Sequence, residues 1–462
     1  MKNETKHLRA SSYSNQVEIG DGNTLLFSGS TLCMDLVPAE YAKLLTQGTD
    51  FSFLSPGEKK HLLKRGHLTD LTRGRELTEF RKTVGQVSEK IAKSNQKLAQ
   101  ANVSFILTYN CNLSCSYCYQ NTLPRETRHH SMTGGLVDAF FSDCFPQLYP
   151  RPPKHCTFTL FGGEPLLPAN REAITRILAH TRKFSSSRID VTTNATTLPA
   201  MLDLIGPEKG KIQNVQVTLD GDRALHDETR IPISGSPTFK TMMGSIRQLL
   251  EVKAEVGIRV HLHPKRLESA ERLVKYLQGE GLLGHPNVFV YFSPINTFTS
   301  EQLSPGDLEV FRRMFQDVAA KASRPPSNFL FMNKFLKMQG KKVLPIARFC
   351  GLGSERFFVI DPLQDIYQCY EEAGHRERRI GSFAGGKLRF FALKKKYAKR
   401  QLLSLPECLR CSMALFCGGG CPVLAKNAEG SIFKPYCHQN KEFIGQTLKA
   451  FFLGKAVETG EN

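Results

Sequence analysis

The sequence predicts an α/β protein in three parts: a partial (β/α)6 barrel of the TIM type, a small winged-helix-like module before it and a cysteine-rich domain after it. Apolar runs of strand length alternate with helix-length segments from about residue 101 onwards. This alternation is typical of βαβ units around a parallel sheet, whose strands are buried on both faces and therefore apolar throughout. Seven of the 13 cysteines lie between residues 350 and 437, which marks a separate C-terminal unit.

The residues before the barrel predict a tail and a small module. Residues 1–22 are polar, and we expect a disordered tail without the apolar segment of a secretory signal. Two apolar runs around a Ser-Gly-Ser turn predict a β-hairpin over residues 23–36. Two segments that start at Pro38 or Ser55 and stop at a glycine predict short helices. With a linking helix over residues 75–98, residues 23–100 are predicted to form the winged-helix-like module and its linker.

The barrel is predicted to span residues 101–300. Its strands are expected at six apolar runs, namely 103–109, 156–163, 188–194, 215–221, 258–264 and 288–294. Residues 301–345 are predicted to form a helical connector. The cysteine-rich domain is predicted to span residues 346–445, and residues 446–462 are predicted to be a C-terminal tail.

Composition restricts location and partners. No apolar run reaches the roughly 18 residues that a membrane-spanning helix needs, so we expect a cytoplasmic protein with no membrane partner. The formal net charge is +19, which suits nucleic acid, a membrane surface or an acidic substrate without choosing among them. The densest basic stretch, residues 376–400, is predicted to be a solvated face.

Three cysteines within eight positions, Cys111, Cys115 and Cys118, directly follow the first predicted barrel strand. The C-terminal ends of parallel strands are where α/β folds place their active sites. Three thiolates on one short loop can hold three irons of a cubane cluster and leave the fourth iron without a protein ligand. That open iron can bind a chelating cofactor, and Tyr117 beside Cys118 can pack against a flat ring.

The spacing Cys-x3-Cys-x2-Cys with Tyr117 before the last cysteine resembles the signature of the radical S-adenosylmethionine superfamily. The resemblance implies a 4Fe-4S cluster on these three thiolates, with S-adenosylmethionine chelated at its open iron. It also implies that reductive cleavage of S-adenosylmethionine gives a 5′-deoxyadenosyl radical, which removes a hydrogen atom from the substrate. A low-potential donor of the flavodoxin or ferredoxin type is the implied source of the electron.

Three further stretches resemble the cofactor-binding motifs of the same family. The stretch Gly162-Gly163-Glu164-Pro165 closes the second strand and is similar to the motif that meets the methionine amino group. Thr193-Asn194 ends the third strand and is similar to a ribose contact, although Ala195 stands where the family has glycine. The fourth strand ends in a stretch similar to that of the peptide-modifying branch, which implies three more contacts: Thr218, Asp220 and Arg230.

The C-terminal cysteines suit two further iron–sulfur clusters, one fully ligated and one lacking a ligand. Their spacing resembles the SPASM extension of radical S-adenosylmethionine enzymes, although Gln364 stands where a glycine is expected. By this resemblance one auxiliary 4Fe-4S cluster is held by Cys408, Cys411, Cys417 and Cys437. The other is held by Cys350, Cys369 and Cys421, and its fourth ligand stays open. The resemblance thus implies three 4Fe-4S clusters in the chain.

Enzymes with this extension mostly modify ribosomally made peptides, so the resemblance implies a precursor peptide as substrate and crosslinked side chains as product. A leader peptide is expected to bind the N-terminal module by adding a strand to its sheet. A carboxylate near the second auxiliary cluster is the expected base, and Glu371 is the candidate.

Two alternatives are kept. Sulfatase-maturating members of the family typically have Asp directly after the cysteine that matches Cys369, where this chain has Tyr370. A zinc-stabilised nucleic-acid-binding protein would use the same cysteines and positive charge, but the six alternating strands and the GGEP stretch make nucleic acid an unlikely partner.

Overall fold

The computed structural model describes residues 8–20, 22–47, 50–97, 100–233, 235–295, 304–321, 327–328, 345–437, 441–442, 444–446 and 448–449. None of the helices in these ranges is long and apolar enough to cross a membrane.

The predicted barrel strands all form, and they lie side by side in sequence order as one parallel sheet. β6, β9 and β10 are largely buried, as their apolar composition predicted. Along β7 and β8 buried residues alternate with partly exposed ones, so burial on both faces is wrong for these two strands. In chain order the strands are β6 (Gln100–Thr108), β7 (His155–Gly162), β8 (Ser187–Thr193), β9 (Asn214–Leu219), β10 (Glu255–Leu262) and β11 (Val288–Pro294).

The sheet does not stop at the predicted six strands. Among the described residues it has 11 strands, because β12 (Ser327–Asn328) adds beside β11 and β13 (Phe357–Ile360) pairs in parallel with β6. The cysteine-rich region thus begins inside the barrel sheet and satisfies the backbone groups of an edge that six strands would leave unpaired. Three antiparallel strands continue it, namely β14 (Asp365–Tyr367), β15 (Gly381–Ser382) and β16 (Arg389–Phe390).

The helices between the barrel strands bury one apolar face each against the sheet. The helices of the barrel are α4 (Arg125–Arg128), α5 (Gly134–Ala139), α6 (Phe145–Leu148), α7 (Arg171–Thr181), α8 (Arg223–Thr229), α9 (Phe239–Glu251), α10 (Leu267–Gly279) and α11 (Pro305–Lys321). The C-terminal helices are α12 (Ala392–Lys399), α13 (Ala414–Cys417) and α14 (Pro422–Glu429).

The N-terminal region forms the predicted hairpin and helices. The antiparallel order is β2 (Ser14–Gly20), β3 (Asn23–Ser28) and β4 (Met34–Pro38), and β1 (Arg9–Ala10) pairs with β5 (Leu68–Thr69). The helices are α1 (Ala39–Gln47), α2 (Pro56–Arg65) and α3 (Arg73–Lys97). Ser55 caps α2 in a capping box and Gly66 ends it at φ 76°, so both predicted signals of this helix act as expected.

Four sequence expectations need correction. The predicted disordered tail over residues 1–22 is wrong for residues 8–20, which form β1 and β2 and pack into the module; residues 1–7 lie outside the described residues. Of the helical connector predicted over residues 301–345, α11 is helical and residues 327–328 form a strand, while residues 301–303, 322–326 and 329–344 lie outside the described residues. The tail predicted from residue 446 starts too early, because Leu448 is fully buried in the main core. The basic stretch is not wholly solvated, because Arg376 and Arg379 bind the buried Asp365 and Arg400 is itself buried.

Candidate active site

The loop that carries the first three cysteines begins directly after β6 and is held in a compact turn. Cys118 N donates to the Cys115 carbonyl over 3.1 Å, and Leu113 N donates to Cys111 Sγ over 3.4 Å. Burial raises the pKa of the Cys111 thiol to about 12, with Glu164, Cys115 and Cys118 adding to the rise. Burial also raises the pKa of the other two thiols. Three neighbouring buried thiols of this kind gain from a metal centre that takes them as thiolates.

Two glycines at the end of β7 let this strand pack closely against the cysteine loop. Gly163 N donates to the Thr108 carbonyl over 2.8 Å, and Gly162 has φ 141°. A Cβ on Gly162 would lie 2.3 Å from the Thr108 carbonyl oxygen, and one on Gly163 would lie 2.1 Å from that of Asn110. Only glycine lets the two backbones approach this closely, which explains the Gly-Gly pair beside the cysteine loop.

Glu164 joins two of the predicted cofactor-binding stretches. Its carboxylate is fully buried and accepts from Thr193 Oγ1 over 2.6 Å and from Asn194 N over 2.7 Å. The side-chain amide of Asn194 reaches the cysteine loop, where it donates to Asn112 Oδ1 over 2.9 Å and approaches Cys111 Sγ at 3.8 Å. Pro165 is buried and continues the same turn. The ends of β7 and β8 are thus joined beside Cys111.

A second polar group gathers on the other side of the cysteine loop. Arg230 donates to Tyr117 Oη over 2.8 Å and lies 3.6 Å from the fully buried carboxylate of Asp220. Burial by itself would raise the pKa of Asp220. The neighbouring His261, His263 and Arg230 outweigh this effect and hold the pKa of Asp220 well below its usual range. Thr218 lies two residues before Asp220 on β9 and faces the same side of the strand.

Sequence reasoning missed the two histidines of this group, since alternating histidines in an apolar run predict only a strand. Tyr117 meets His261 and His263 edge to face, with ring centroids 5.4 and 5.9 Å apart. His261 Nδ1 lies 3.0 Å from Asp220 Oδ1, yet neither atom has a hydrogen bond of good geometry within the described residues, nor does Arg230 Nε. Buried polar atoms that lack hydrogen-bond partners lower the stability of the folded state. The space beside Asp220, His261 and Arg230 therefore fits a polar ligand such as S-adenosylmethionine, which would supply those partners.

Both departures from the family patterns keep the expected backbone. Ala195 has φ 58° and Gln364 has φ 59°, so each adopts the left-handed conformation that glycine would adopt without strain. The Ala195 carbonyl accepts from Ser245 Oγ over 2.7 Å, and the Gln364 carbonyl accepts from Phe383 N over 3.0 Å. The surrounding hydrogen bonds therefore hold both turns in spite of the missing glycines.

The C-terminal cysteines lie in two groups. The first group comprises the thiols of Cys408, Cys411, Cys417 and Cys437. Burial is the main cause that raises the pKa of Cys408 to about 12, and the other three thiols of the group contribute to the rise. In the second group burial is again the main cause that raises the pKa of Cys369, and Cys421 and Cys350 contribute. The SPASM resemblance implied the same two sets as cluster ligands, and that assignment stays a prediction. We call the two sets the four-thiol group and the three-thiol group.

Three consecutive glycines join the two groups. Gly418, Gly419 and Gly420, between Cys417 and Cys421, have φ values of 72°, 90° and 73°. A Cβ on Gly418 would lie 2.6 Å from the backbone of Arg348 and Phe349, and one on Gly420 would lie 1.8 Å from the Tyr436 carbonyl oxygen. The glycines thus bring the residues before Cys350 and Cys437 against the Cys417–Cys421 turn, a packing that any side chain would prevent.

A cavity of about 860 Å³ connects the cysteine loop with the three-thiol group. Tyr117 and Cys118 line one part of it, and Glu371 lines another. The three-thiol group completes this wall with Cys350, Cys369 and Cys421. A ligand in this cavity would lie within reach of both the cysteine loop and the three-thiol group.

The two acidic residues after Cys369 have different surroundings. Glu372 is fully buried and accepts a hydrogen bond from Tyr397 Oη over 2.6 Å, whereas Glu371 lines the cavity. Tyr370, where sulfatase-maturating enzymes have Asp, stacks on Phe161 with ring centroids 4.3 Å apart and shares a 2.7 Å hydrogen bond with Ser104 Oγ. Burial raises the pKa of Tyr370, so this phenol does not replace the carboxylate as a base.

The geometry does not favour a zinc-stabilised protein. Among the residues that the structure describes, no group of three or more Cys, His, Asp or Glu side chains is arranged to hold a single metal ion. A zinc site needs four ligands within about 2.3 Å of one ion, whereas a cubane cluster takes its thiolates at separate irons and accepts more widely spaced cysteines.

Comparisons with known proteins agree with this geometry. Residues 105–277 match the model of the Radical SAM superfamily. The cysteine-type anaerobic sulfatase-maturating enzyme of Clostridium perfringens (strain 13 / Type A) is 21% identical over 349 residues, which cover 72% of this chain and 92% of that enzyme. The cysteine-type enzyme of Clostridium novyi (strain NT) is 24% identical over 223 residues, covering 45% of this chain and 56% of that enzyme. The chain thus aligns with little more than half of the second relative.

Solved structures share the fold. Native anSMEcpe with bound AdoMet and Kp18Cys peptide superimposes with a TM-score of 0.61 at 18% identity. The superposition covers 77% of this chain and 99% of that chain.

Proposed function

We infer that this enzyme, whose residues 105–277 form a radical SAM domain and which is homologous to the anaerobic sulfatase-maturating enzymes, oxidatively modifies a ribosomally made precursor peptide. The family implies S-adenosylmethionine and a 4Fe-4S cluster as cofactors. We propose Cys111, Cys115 and Cys118 as the ligands of that cluster, and a crosslink between peptide side chains as the product.

The observation that carries the proposal is the cavity of about 860 Å³ between the cysteine loop and the three-thiol group. A net oxidation needs one site that removes a hydrogen atom and another that accepts an electron. A substrate in this cavity has both within reach, and the lining includes aromatic rings such as Phe161, Phe357 and Tyr370, against which a peptide side chain can pack.

We propose that the residues around the cysteine loop orient the cofactor. The first set lies beside Cys111 and comprises Gly162, Gly163, Glu164, Pro165, Thr193 and Asn194; the second lies beside Cys115 and comprises Tyr117, Thr218, Asp220 and Arg230. When bound, S-adenosylmethionine and its cluster supply the radical that removes one hydrogen atom from the substrate. The Asp220 carboxylate lies 3.6 Å from the Arg230 guanidinium, which donates a hydrogen bond to Tyr117 Oη, and we propose that Asp220 helps to hold Arg230 in that position.

Completion of a two-electron oxidation requires that the substrate loses one more electron and one proton. The proposed electron acceptors are two auxiliary 4Fe-4S clusters, one on the four-thiol group and one on the three-thiol group. The proposed proton acceptor is Glu371, because its carboxylate lines the cavity while that of Glu372 is engaged by Tyr397. The first electron is proposed to come from a flavodoxin or ferredoxin.

The N-terminal module is the proposed leader-binding unit. Within the described residues β4 pairs with a neighbouring strand on one side only, and one of its backbone carbonyls, that of Met34, accepts from Arg65. The rest of its outer edge is proposed to accept a peptide strand. Leu36 on this strand is 55% exposed, and the basic helix α2 lies beside it through the contact of Arg65 with Asp35. An apolar residue on an outer edge beside a basic helix suits an acidic leader with alternating apolar side chains.

Side-chain oxidation of a sulfatase is the second candidate, favoured by the homology to sulfatase-maturating enzymes. The stacked and hydrogen-bonded Tyr370 argues against it, because that chemistry has Asp at this position. The two candidates differ in substrate: a short precursor peptide in one case and a sulfatase in the other.

Mass spectrometry of a co-expressed peptide encoded beside this gene tests the proposal. A crosslink removes the mass of two hydrogen atoms, and fragmentation locates it. An enzyme carrying Glu371→Gln should bind S-adenosylmethionine and cleave it, yet give less than about a tenth of the product. Unmodified neighbour peptides together with an oxidised sulfatase would favour the second candidate, and a colourless protein that holds zinc would contradict both.

A further inference from the structure

A buried arginine lies where the two C-terminal thiol groups meet. Arg400 is 3% exposed, and its guanidinium donates to the carbonyl oxygens of Gly419 and Gly420 over 3.0 Å each. It also donates from Nε to the Ile432 carbonyl over 2.6 Å. Because Gly419 and Gly420 connect Cys417 of the four-thiol group to Cys421 of the three-thiol group, Arg400 is attached to the segment that joins the two groups.

This cation has no carboxylate partner. In the part of the chain that the structure describes, no Asp or Glu oxygen lies within ion-pair distance of Arg400, whereas Arg376 and Arg379 of the same basic stretch both bind Asp365. An arginine buried against neutral carbonyls is costly unless other negative charge lies near it. Burial lowers the pKa of Arg400, and the thiols of Cys350, Cys408, Cys421 and Cys417, which come from both groups, oppose that shift.

We propose that Arg400 is a positioning residue that favours reduction of the auxiliary clusters by placing a permanent positive charge between them. This inference rests on the proposed function, since it assumes a cluster on each thiol group. A cluster with its thiolates is anionic, and its negative charge grows by one when it accepts an electron. A fixed cation nearby stabilises the reduced state more than the oxidised one, and low local polarity strengthens the effect.

The proposal gives Arg400, the last residue of the basic stretch 376–400, a function that amino-acid composition does not predict. Arg400 would allow an electron that leaves the substrate to be accepted at the three-thiol group and passed to the four-thiol group. The same guanidinium shapes the Gly418–Gly420 segment through its hydrogen bonds, so its charge and its geometry must be separated by experiment.

The test is an anaerobic redox titration, followed by electron paramagnetic resonance, of variants in which Cys111, Cys115 and Cys118 are replaced by Ala. In that background only the auxiliary clusters contribute signal. Arg400→Gln should disfavour reduction of at least one auxiliary cluster by tenfold or more, a fall of about 59 mV for one electron. Arg400→Lys, which keeps the charge, should stay within about threefold of the parent.

A matched control is Arg389→Gln, which removes the same charge from an exposed residue of the same domain. It should leave the potentials unchanged, because solvent screens an exposed charge. Iron analysis of each variant shows whether the clusters are present before potentials are compared.

Three results would overturn the inference while leaving the proposed function intact: unchanged potentials in Arg400→Gln, an equal shift in Arg400→Lys, or an equal shift in Arg389→Gln. If Arg400→Gln loses auxiliary iron, recovery of that iron in Arg400→Lys supports a role for the charge, and loss in both variants overturns it. Absence of auxiliary iron from the parent protein would instead contradict the proposed function.

Discussion

At the scale of single residues, the two positions that depart from the family patterns are informative. Ala195 and Gln364 stand where glycine is expected, and both adopt the left-handed backbone of glycine. The site has therefore kept its turn geometry at a cost in strain, since a left-handed side-chain-bearing residue is disfavoured by roughly 1–2 kcal/mol. The backbone conformation of a motif can thus be present although the glycine of its sequence pattern is absent.

Gln364→Gly should raise the free energy of unfolding by about 1 kcal/mol, because glycine relieves this strain. Anaerobic denaturant titration of the iron-loaded protein measures the change. Gln364→Ala is the control, since it removes the same side chain but keeps the strained conformation. An equal gain in both variants would assign the effect to the side chain and contradict the prediction.

Replacement of Cys111, Cys115 and Cys118 by Ala should abolish cleavage of S-adenosylmethionine and leave the C-terminal clusters in place. The reason is that these thiols form a group of their own after β6, separate from the two C-terminal groups. Iron per chain should fall from about twelve to about eight, while 5′-deoxyadenosine disappears from the reaction. Retained cleavage of S-adenosylmethionine would contradict the proposal that these three cysteines hold the cluster that binds it.

At the scale of elements, the N-terminal module is packed onto the loop of the four-thiol group. Tyr13 Oη donates to the carbonyl of Leu409, which lies between two cysteines of that group, over 2.7 Å. Tyr13, Phe80 and Val84 share a buried cluster with Cys408 and its neighbours. Gly29 allows the closest approach, because a Cβ there would lie 1.7 Å from the Ser412 carbonyl oxygen. The module therefore supports the cysteine loop directly.

Gly29→Ala should separate the module from this loop, lower the free energy of unfolding by about 1–3 kcal/mol and reduce auxiliary iron. Denaturant titration and iron analysis give the two measurements. Gly85→Ala is the matched control, because Gly85 lies on α3 of the same module with no atom within 4 Å of an added Cβ. It should be neutral or stabilising. Full auxiliary iron in Gly29→Ala would show that the contact does not support the loop.

At the scale of the whole molecule, the positive charge and the outer edge of β4 suit the same ligand. The formal net charge of +19 favours acidic partners over a long range, and the effect is screened by salt. Because Arg400 of the basic stretch 376–400 is buried, its charge is not presented at the surface.

The affinity of an acidic leader peptide for the full-length protein should fall on the order of tenfold when salt rises from about 0.05 to 0.5 M. Fluorescence anisotropy of a labelled peptide measures it. A leader with its acidic residues changed to amides should bind more weakly at low salt and show a flatter dependence. Equal salt dependence of the two peptides would contradict an electrostatic contribution to leader binding.

Local sequence determined the parts of this protein whose physics is local. Apolar runs predicted the six parallel strands, because helices cover one face of a parallel sheet and favour apolar residues there. The other face also carries polar residues, such as Asp190 and Arg259, which line the cavity. Capping signals predicted α2, and cysteine spacing predicted the group of Cys111, Cys115 and Cys118, because ligands on one short loop must be close in sequence. The division of the C-terminal cysteines into two groups came from the resemblance to the SPASM extension. Glycine pairs such as Gly162-Gly163 were recognisable since close backbone approach tolerates no side chain.

Only the tertiary structure decided what depends on residues far apart in the chain. The pairing of β13 with β6, the contact of Tyr13 with Leu409, and the approach of His261 to Asp220 leave no periodic pattern in sequence. The basic stretch shows the same limit, because composition cannot tell the solvated Arg389 from the buried Arg400. Burial sets the energy of a charge, and burial is a property of the fold rather than of the segment.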